Sequence, residues 1–241
     1  MRESRRTLPD LVRSVAVALA VVLLPGLWVA LSPDPSAARM RDLVGLTAPQ
    51  DDRSHTFLRR QNPGGGPVGW DPCRDIRYVV DPAGAPGDWR ATVTAAVDRV
   101  AEASGLRFVE SGTVSDRDFD RRTGLFGGDP PVLVAWADAA EHPPLAGDVA
   151  GVGGATAVGS PGRQRYVTGS VVIDTEDTAD LTGRLGTPHL EALLVHELAH
   201  VVGLGHTDDP TQLMYAEGTG VTELGAGDRA GLRALGELPC G

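Results

Sequence analysis

The chain contains no lysine. All 22 of its basic residues are arginine, set against 32 aspartates and glutamates, for a net charge of −10. No basic stripe runs along it, and without clustered cations it has no means of neutralising a phosphate backbone, which excludes nucleic acid as a partner. Aromatic residues make up only 5%, so the core has to be aliphatic. No internal repeat is found, and cysteine occurs only twice, at Cys73 and Cys240. What is present suffices for a fold: 241 residues, 41% of them hydrophobic, give one ordinary domain and something extra. With 31 glycines and 18 prolines the chain is rich in turns without being disordered in composition.

The extra part lies at the N-terminus. Arg2, Arg5, Arg6 and Arg13 precede an apolar run over 15–31 that is broken only by Pro25-Gly26. Basic residues followed by an apolar run make an export signal. Residues 1–38 are then either a signal peptide, cut after Ser36-Ala37-Ala38, or a retained membrane anchor at the short end of the spanning range. In both cases the working domain is extracytoplasmic, secreted or anchored, and meets the membrane only through this segment. Residues 39–69, rich in Pro, Gly, Arg and Asp, read as a linker or stalk. The folded domain is expected over 70–241. An oxidising compartment suits a Cys73–Cys240 bridge, which would close a very long loop and contribute roughly 5 kcal/mol at most, while two free thiols are the alternative.

Within the domain, strands are expected at 76–80, 106–109, 132–136 and 170–174, with weak alternation over the glycine-studded 149–158. Apolar residues at Val93, Ala96, Val97 and Val100 recur at helical spacing over 89–103. Residues 111–130 read as a surface loop. Thr187-Pro188 opens a helix, with Thr187 as its N-cap, that runs to about 202, and a last helix covers 226–238. The order implies an α+β fold, a small mixed sheet with helices packed on it.

The chemistry is concentrated in His196-Glu197-Leu198-Ala199-His200-Val201-Val202-Gly203-Leu204-Gly205-His206. Histidines four apart on a helix differ by about 40° in azimuth, so both imidazoles face one side. A catalytic zinc takes three protein ligands and keeps a fourth position open. Glu197, offset by about 100°, lies beside the metal, where it can take a proton from a water and later pass it on. Gly203 supplies the turn that ends the helix and lets His206 swing back as third ligand. The full pattern arises by chance in roughly 2 of 100,000 sequences of this composition, so it is read as a Zn2+ site.

This motif resembles the signature of the metzincins. Met214, in Leu213-Met214-Tyr215, follows His206 at a spacing similar to the Met-turn of the matrixins, the matrix-metalloprotease branch. The resemblance implies a twisted mixed sheet with an antiparallel edge strand, an active-site helix and a C-terminal helix. It makes Met214 a hydrophobic floor under the zinc, and 149–158 the edge strand that pairs with an extended protein or peptide substrate. A monomer is expected. Matrixins carry calcium near the strand that ends at Asp174, so Asp174, Glu176 and Asp177 are candidate Ca2+ ligands, solvated loop acids being the alternative. The chain departs from the pattern at Ala216, where matrixins have proline, and at Glu217-Gly218-Thr219, which does not match the usual wall of the specificity pocket. No cysteine-switch segment is recognisable, and the structural-zinc histidines of animal matrixins lack counterparts; His55, His142 and His189 read as surface or packing residues.

The function expected is that of an extracytoplasmic zinc endopeptidase with Glu197 as general base. The competing readings are a zinc-stabilised surface binding domain that cleaves nothing and a zinc hydrolase of non-protein, cell-wall amides.

Overall fold

The run Val132-Leu-Val-Ala-Trp-Ala137 has no polar alternation, the pattern of a strand covered on both faces. A computed structural model, which describes residues 54–62, 65–115, 117–119 and 129–241, places it at the centre of the molecule. The strands are β1 (Thr56–Phe57), β2 (Ile76–Asp81), β3 (Phe108–Thr113), β4 (Val132–Ala137), β5 (Gly151–Val158), β6 (Arg165–Asp174) and β7 (Leu204–Gly205). The helices are α1 (Trp89–Ser104), α2 (Thr175–Arg184), α3 (Thr187–Val202) and α4 (Ala226–Gly236). Five strands form one sheet in the order β3-β2-β4-β6-β5, parallel except for the antiparallel edge strand β5. A separate antiparallel ribbon joins β1 to β7.

Alternation across the pleat divides the core. Ile76, Tyr78, Val80, Val132, Val134, Trp136, Val171 and Ile173 face the layer of α1, α3 and α4. Val79, Leu133, Ala135, Ala137 and Val172 face the other way, covered by Phe119 and by Leu145 of a short 3-10 turn. In α1 the buried residues Val93, Ala96, Val97 and Val100 form one stripe, and Gly105, at φ 77°, closes the helix by donating its N–H to Ala101. No helix among the described residues is long and apolar enough to cross a membrane; the apolar run 15–31 lies outside them.

Four local expectations are corrected. β3 begins at Phe108 and extends to Thr113; it is an outer strand paired only with β2, so it needs no buried alternating face. The acids after β6 lie on the helix α2 rather than a loop. Thr187 sits inside the first turn of α3, because Gly186 at φ 83° takes the cap position. Finally, residues 54–62 and 65–69, expected in the linker, lie on the domain: β1 pairs with β7, and the Gln61 side chain exchanges hydrogen bonds with the backbone of Gln164. A two-residue strand whose partner lies some 150 residues downstream leaves no local pattern to read. The disulfide Cys73–Cys240 is present, with its Cα atoms 5.5 Å apart.

Candidate metal centre and its cleft

Helix α3 is apolar on nearly every side and buried at most positions from Leu190 to Val202, which makes its polar residues conspicuous. His196 and His200, one turn apart, project to the same side, and their ring centroids lie 4.8 Å apart. Gly203 ends the helix at φ 121°, its N–H shared between Ala199 and His200 carbonyls at 3.0 Å each. A side chain there would also crowd Tyr166 and the Val68 carbonyl, at 2.9 and 3.1 Å. The chain then doubles back through β7 and delivers His206.

The three Nε2 atoms form a nearly equilateral triangle with edges of 3.1, 3.1 and 3.2 Å. His196 donates from Nδ1 to the Leu213 carbonyl at 2.8 Å, and His200 from Nδ1 to Leu204 at 2.7 Å. Both Nε2 atoms are therefore bare acceptors turned toward one point. Converging lone pairs repel unless a cation lies between them, and edges slightly over 3 Å suit nitrogens about 2.0–2.1 Å from a tetrahedral zinc. Burial pushes the imidazoles of His196 and His200 down to about 4 and about 3, and lowers His206 too, so the donors are neutral at physiological pH. The donor set and geometry fit Zn2+.

Glu197 lies beside the triangle and is buried. Burial pushes its carboxyl up to about 8, opposed by a hydrogen bond from the Gly153 backbone. That contact depends on two glycines of β5. A Cβ on Gly153 would lie 2.7 Å from the backbone carbon of Glu197 and 2.8 Å from its Cα; one on Gly151 would lie 3.0 Å from Glu197 Cγ. The glycines that weaken the alternation of this segment thus let the edge strand lie directly on α3. A cleft of about 540 Å³ opens along it, bounded by Asp148–Gly151 on one side and Tyr215–Val221 on the other, with His196, Glu197 and His206 at its base. Ala216, Glu217, Gly218 and Thr219 line it despite their unfamiliar sequence. So does His189, whose Nδ1 lies 3.1 Å from the Leu185 carbonyl.

Met214 is fully buried in the same core as α3. The turn that carries it is held by two side chains outside the zinc motif. Buried Asp228 accepts hydrogen bonds from the N–H groups of Leu213 at 2.7 Å, Met214 at 3.4 Å and Gly225 at 2.9 Å. Gln212 Oε1 accepts from Gly227 and Asp228, tying the same turn to the start of α4. Asp228 therefore acts on the Leu213 carbonyl that orients His196. The available signal was its place three residues after Gly225, the acidic position of a helix start.

The candidate calcium ligands lie at a helix start. Asp174 Oδ1 accepts the N–H groups of Glu176 at 2.7 Å and Asp177 at 3.0 Å, capping α2, whose first turn holds both acids. Among the described residues Asp174, Glu176 and Asp177 do not converge as a metal-sized cluster, whereas His196, His200 and His206 do. His142 packs edge-on against Phe119, as a packing residue.

Set against known proteins, the sequence model of the matrixin family matches residues 80–235, more than half of the chain. No curated protein matches it.

Proposed function

The chain belongs to the matrixin family, whose members are zinc-dependent metalloproteases, and from that premise we propose that it is an extracytoplasmic endopeptidase with Glu197 as general base. The observation that carries the reading is the triangle of bare Nε2 atoms with a buried carboxylate beside it. Zinc, when bound, polarises the scissile carbonyl and makes water acidic. His196, His200 and His206 hold it, the first two fixed in the correct tautomer by Leu213 and Leu204. Glu197, whose carboxyl burial raises to about 8, would be ionised beside a bound dication. The carboxylate, steadied by the Gly153 N–H, accepts a proton from the attacking water and returns it to the leaving amine. Met214 packs beneath the site as its apolar floor.

The substrate lies extended along β5, which offers a free edge for strand addition, and projects one side chain into the cleft between Leu193 and the 215–221 segment. The Cys73–Cys240 bridge supports a location outside the cytoplasm.

The test is the chain loaded with zinc and incubated with a mixed peptide library. Cleavage abolished by a chelator, restored by zinc and reduced at least about 10³-fold in Glu197→Ala supports the reading. Zinc binding without cleavage supports the surface-binding alternative, and cleavage of cell-wall amides alone supports the other. Peptidase activity that survives Glu197→Ala overturns the mechanism.

A further inference from the structure

Two of the three ligand histidines ride on a buried helix of sixteen residues, but the third does not. His206 is exposed, lies beyond the helix exit, and follows a strand of only two residues. Its downstream side is anchored to the Met-turn, where the Thr207 N–H meets the Met214 carbonyl at 3.0 Å. Its upstream side is anchored by a segment outside the residues that match the family, which begin at 80. In the β1–β7 ribbon Thr56 pairs with Gly205 and Phe57 with Leu204. The Leu58 N–H reaches the Gly203 carbonyl at 2.9 Å, and the Thr56 hydroxyl donates to the carbonyl of His206 itself at 2.5 Å.

The seat of this segment is built from missing side chains. A Cβ on Gly205 would collide with Thr56 Oγ1. On α4, one on Gly227 would lie 2.7 Å from the Ser54 carbonyl carbon, and one on Gly231 would lie 2.8 Å from His55 Cδ2. Gly227 and Gly231, one helical turn apart, open a groove for Ser54 and His55 just before the chain enters the ribbon. Three glycines on two elements thus accommodate three consecutive residues.

We propose that residues 54–58 are a strap that positions the third metal ligand, with Thr56 as its main positioning residue. This rests on the metal-centre reading above. With the strap seated, the backbone is held on both sides of His206 and the Nε2 triangle is preformed; with it displaced, His206 must be ordered when the metal binds, which weakens zinc retention.

The experiment measures zinc affinity of the full chain by competition with a chromogenic chelator. Thr56→Val removes the hydroxyl at similar volume, and Thr56→Ser retains it. Gly227→Ala unseats Ser54 while keeping the backbone N–H that donates to Gln212 Oε1. Thr56→Val is expected to raise the zinc dissociation constant roughly 3–10-fold, the range of one hydrogen bond. Thr56→Ser should stay within about twofold of the parent and Gly227→Ala should exceed Thr56→Val. KM at saturating zinc should not move, because no strap residue lines the cleft. Parental zinc affinity in both Thr56→Val and Gly227→Ala, even with a lower Tm, would mean that the segment is merely structural and overturns the proposal. Failure of the parent chain to bind zinc overturns the metal-centre reading instead.

Discussion

Replacing Gly153 by alanine adds one methyl group where the edge strand rests on the active-site helix. The new Cβ lies 2.7 and 2.8 Å from backbone atoms of Glu197. Ordinary contact requires at least about 3.4 Å, and helix backbone cannot rotate away as a side chain can, so β5 must retreat by about 1 Å. Overpacking of this kind costs about 1–3 kcal/mol, only partly offset by the roughly 0.5–1 kcal/mol that alanine gains over glycine in a strand. For a domain of this size the net loss corresponds to a Tm lower by about 2–8 °C. The expected effect on catalysis is larger, since the strand that moves holds the Glu197 carboxylate and, in the function proposed above, offers the edge for substrate; a misplacement of 1 Å can cost about 10²-fold in rate. The paired control is Gly154→Ala, whose Cβ meets nothing within 4 Å and whose φ is not positive. It should leave kcat/KM unchanged and stability equal or slightly higher. Thermal melts and kcat/KM on one peptide decide the matter. If Gly153→Ala melts with the parent and keeps kcat/KM within threefold, the reasoning from strand-on-helix packing is refuted.

With its metal removed, the protein should be most stable near pH 6.5. Below that, unfolded histidines charge at about 6.5 while folded His196 and His200 stay neutral to about 4 and about 3; above it, folded Glu197 keeps its proton to about 8 while the unfolded chain releases it near 4.5. The unfolded state thus binds the excess protons between about 4.5 and 6.5 and the folded state between about 6.5 and 8, so stability falls on both sides. A chelated sample whose Tm climbs steadily to pH 8 contradicts this. Asp228→Asn replaces an acceptor of three backbone N–H groups by an amide with one acceptor oxygen; a loss of about 3 kcal/mol in denaturant unfolding is expected, with zinc affinity down at least tenfold through Leu213 and His196. Cys73→Ser with Cys240→Ser should lower stability by about 2–5 kcal/mol, and an unchanged urea midpoint would mean that the two ends are held by other contacts.

The centre of the site was legible because it is local. His196, Glu197 and His200 are placed by helical spacing alone, and Gly203 marks the exit by the conformation only glycine takes easily. The glycines of 149–158 announced a close approach, although only the fold shows that the neighbour is the backbone of Glu197. What stayed hidden acts across sequence distance. Asp228 reaches back fifteen residues to Leu213, and Thr56 reaches forward 150 to His206. Asp174 was ambiguous for a different reason: a carboxylate that caps a helix and one that binds calcium look alike in sequence, and the fold adds the two N–H groups that donate to it.

The bridge between Cys73 and Cys240 spans 167 residues and encloses Glu197 and the three clustered histidines. In covalent terms residues 73–240 are a closed ring, with the residues before Cys73 as its arm. One cut within the ring opens it without releasing a piece, and the two halves remain a single particle until a thiol reduces the bond. A protease shares its solution with other copies of itself, so it meets such cuts more often than most proteins do. Nicked molecules should run with intact ones on a non-reducing gel and separate into fragments only after reduction.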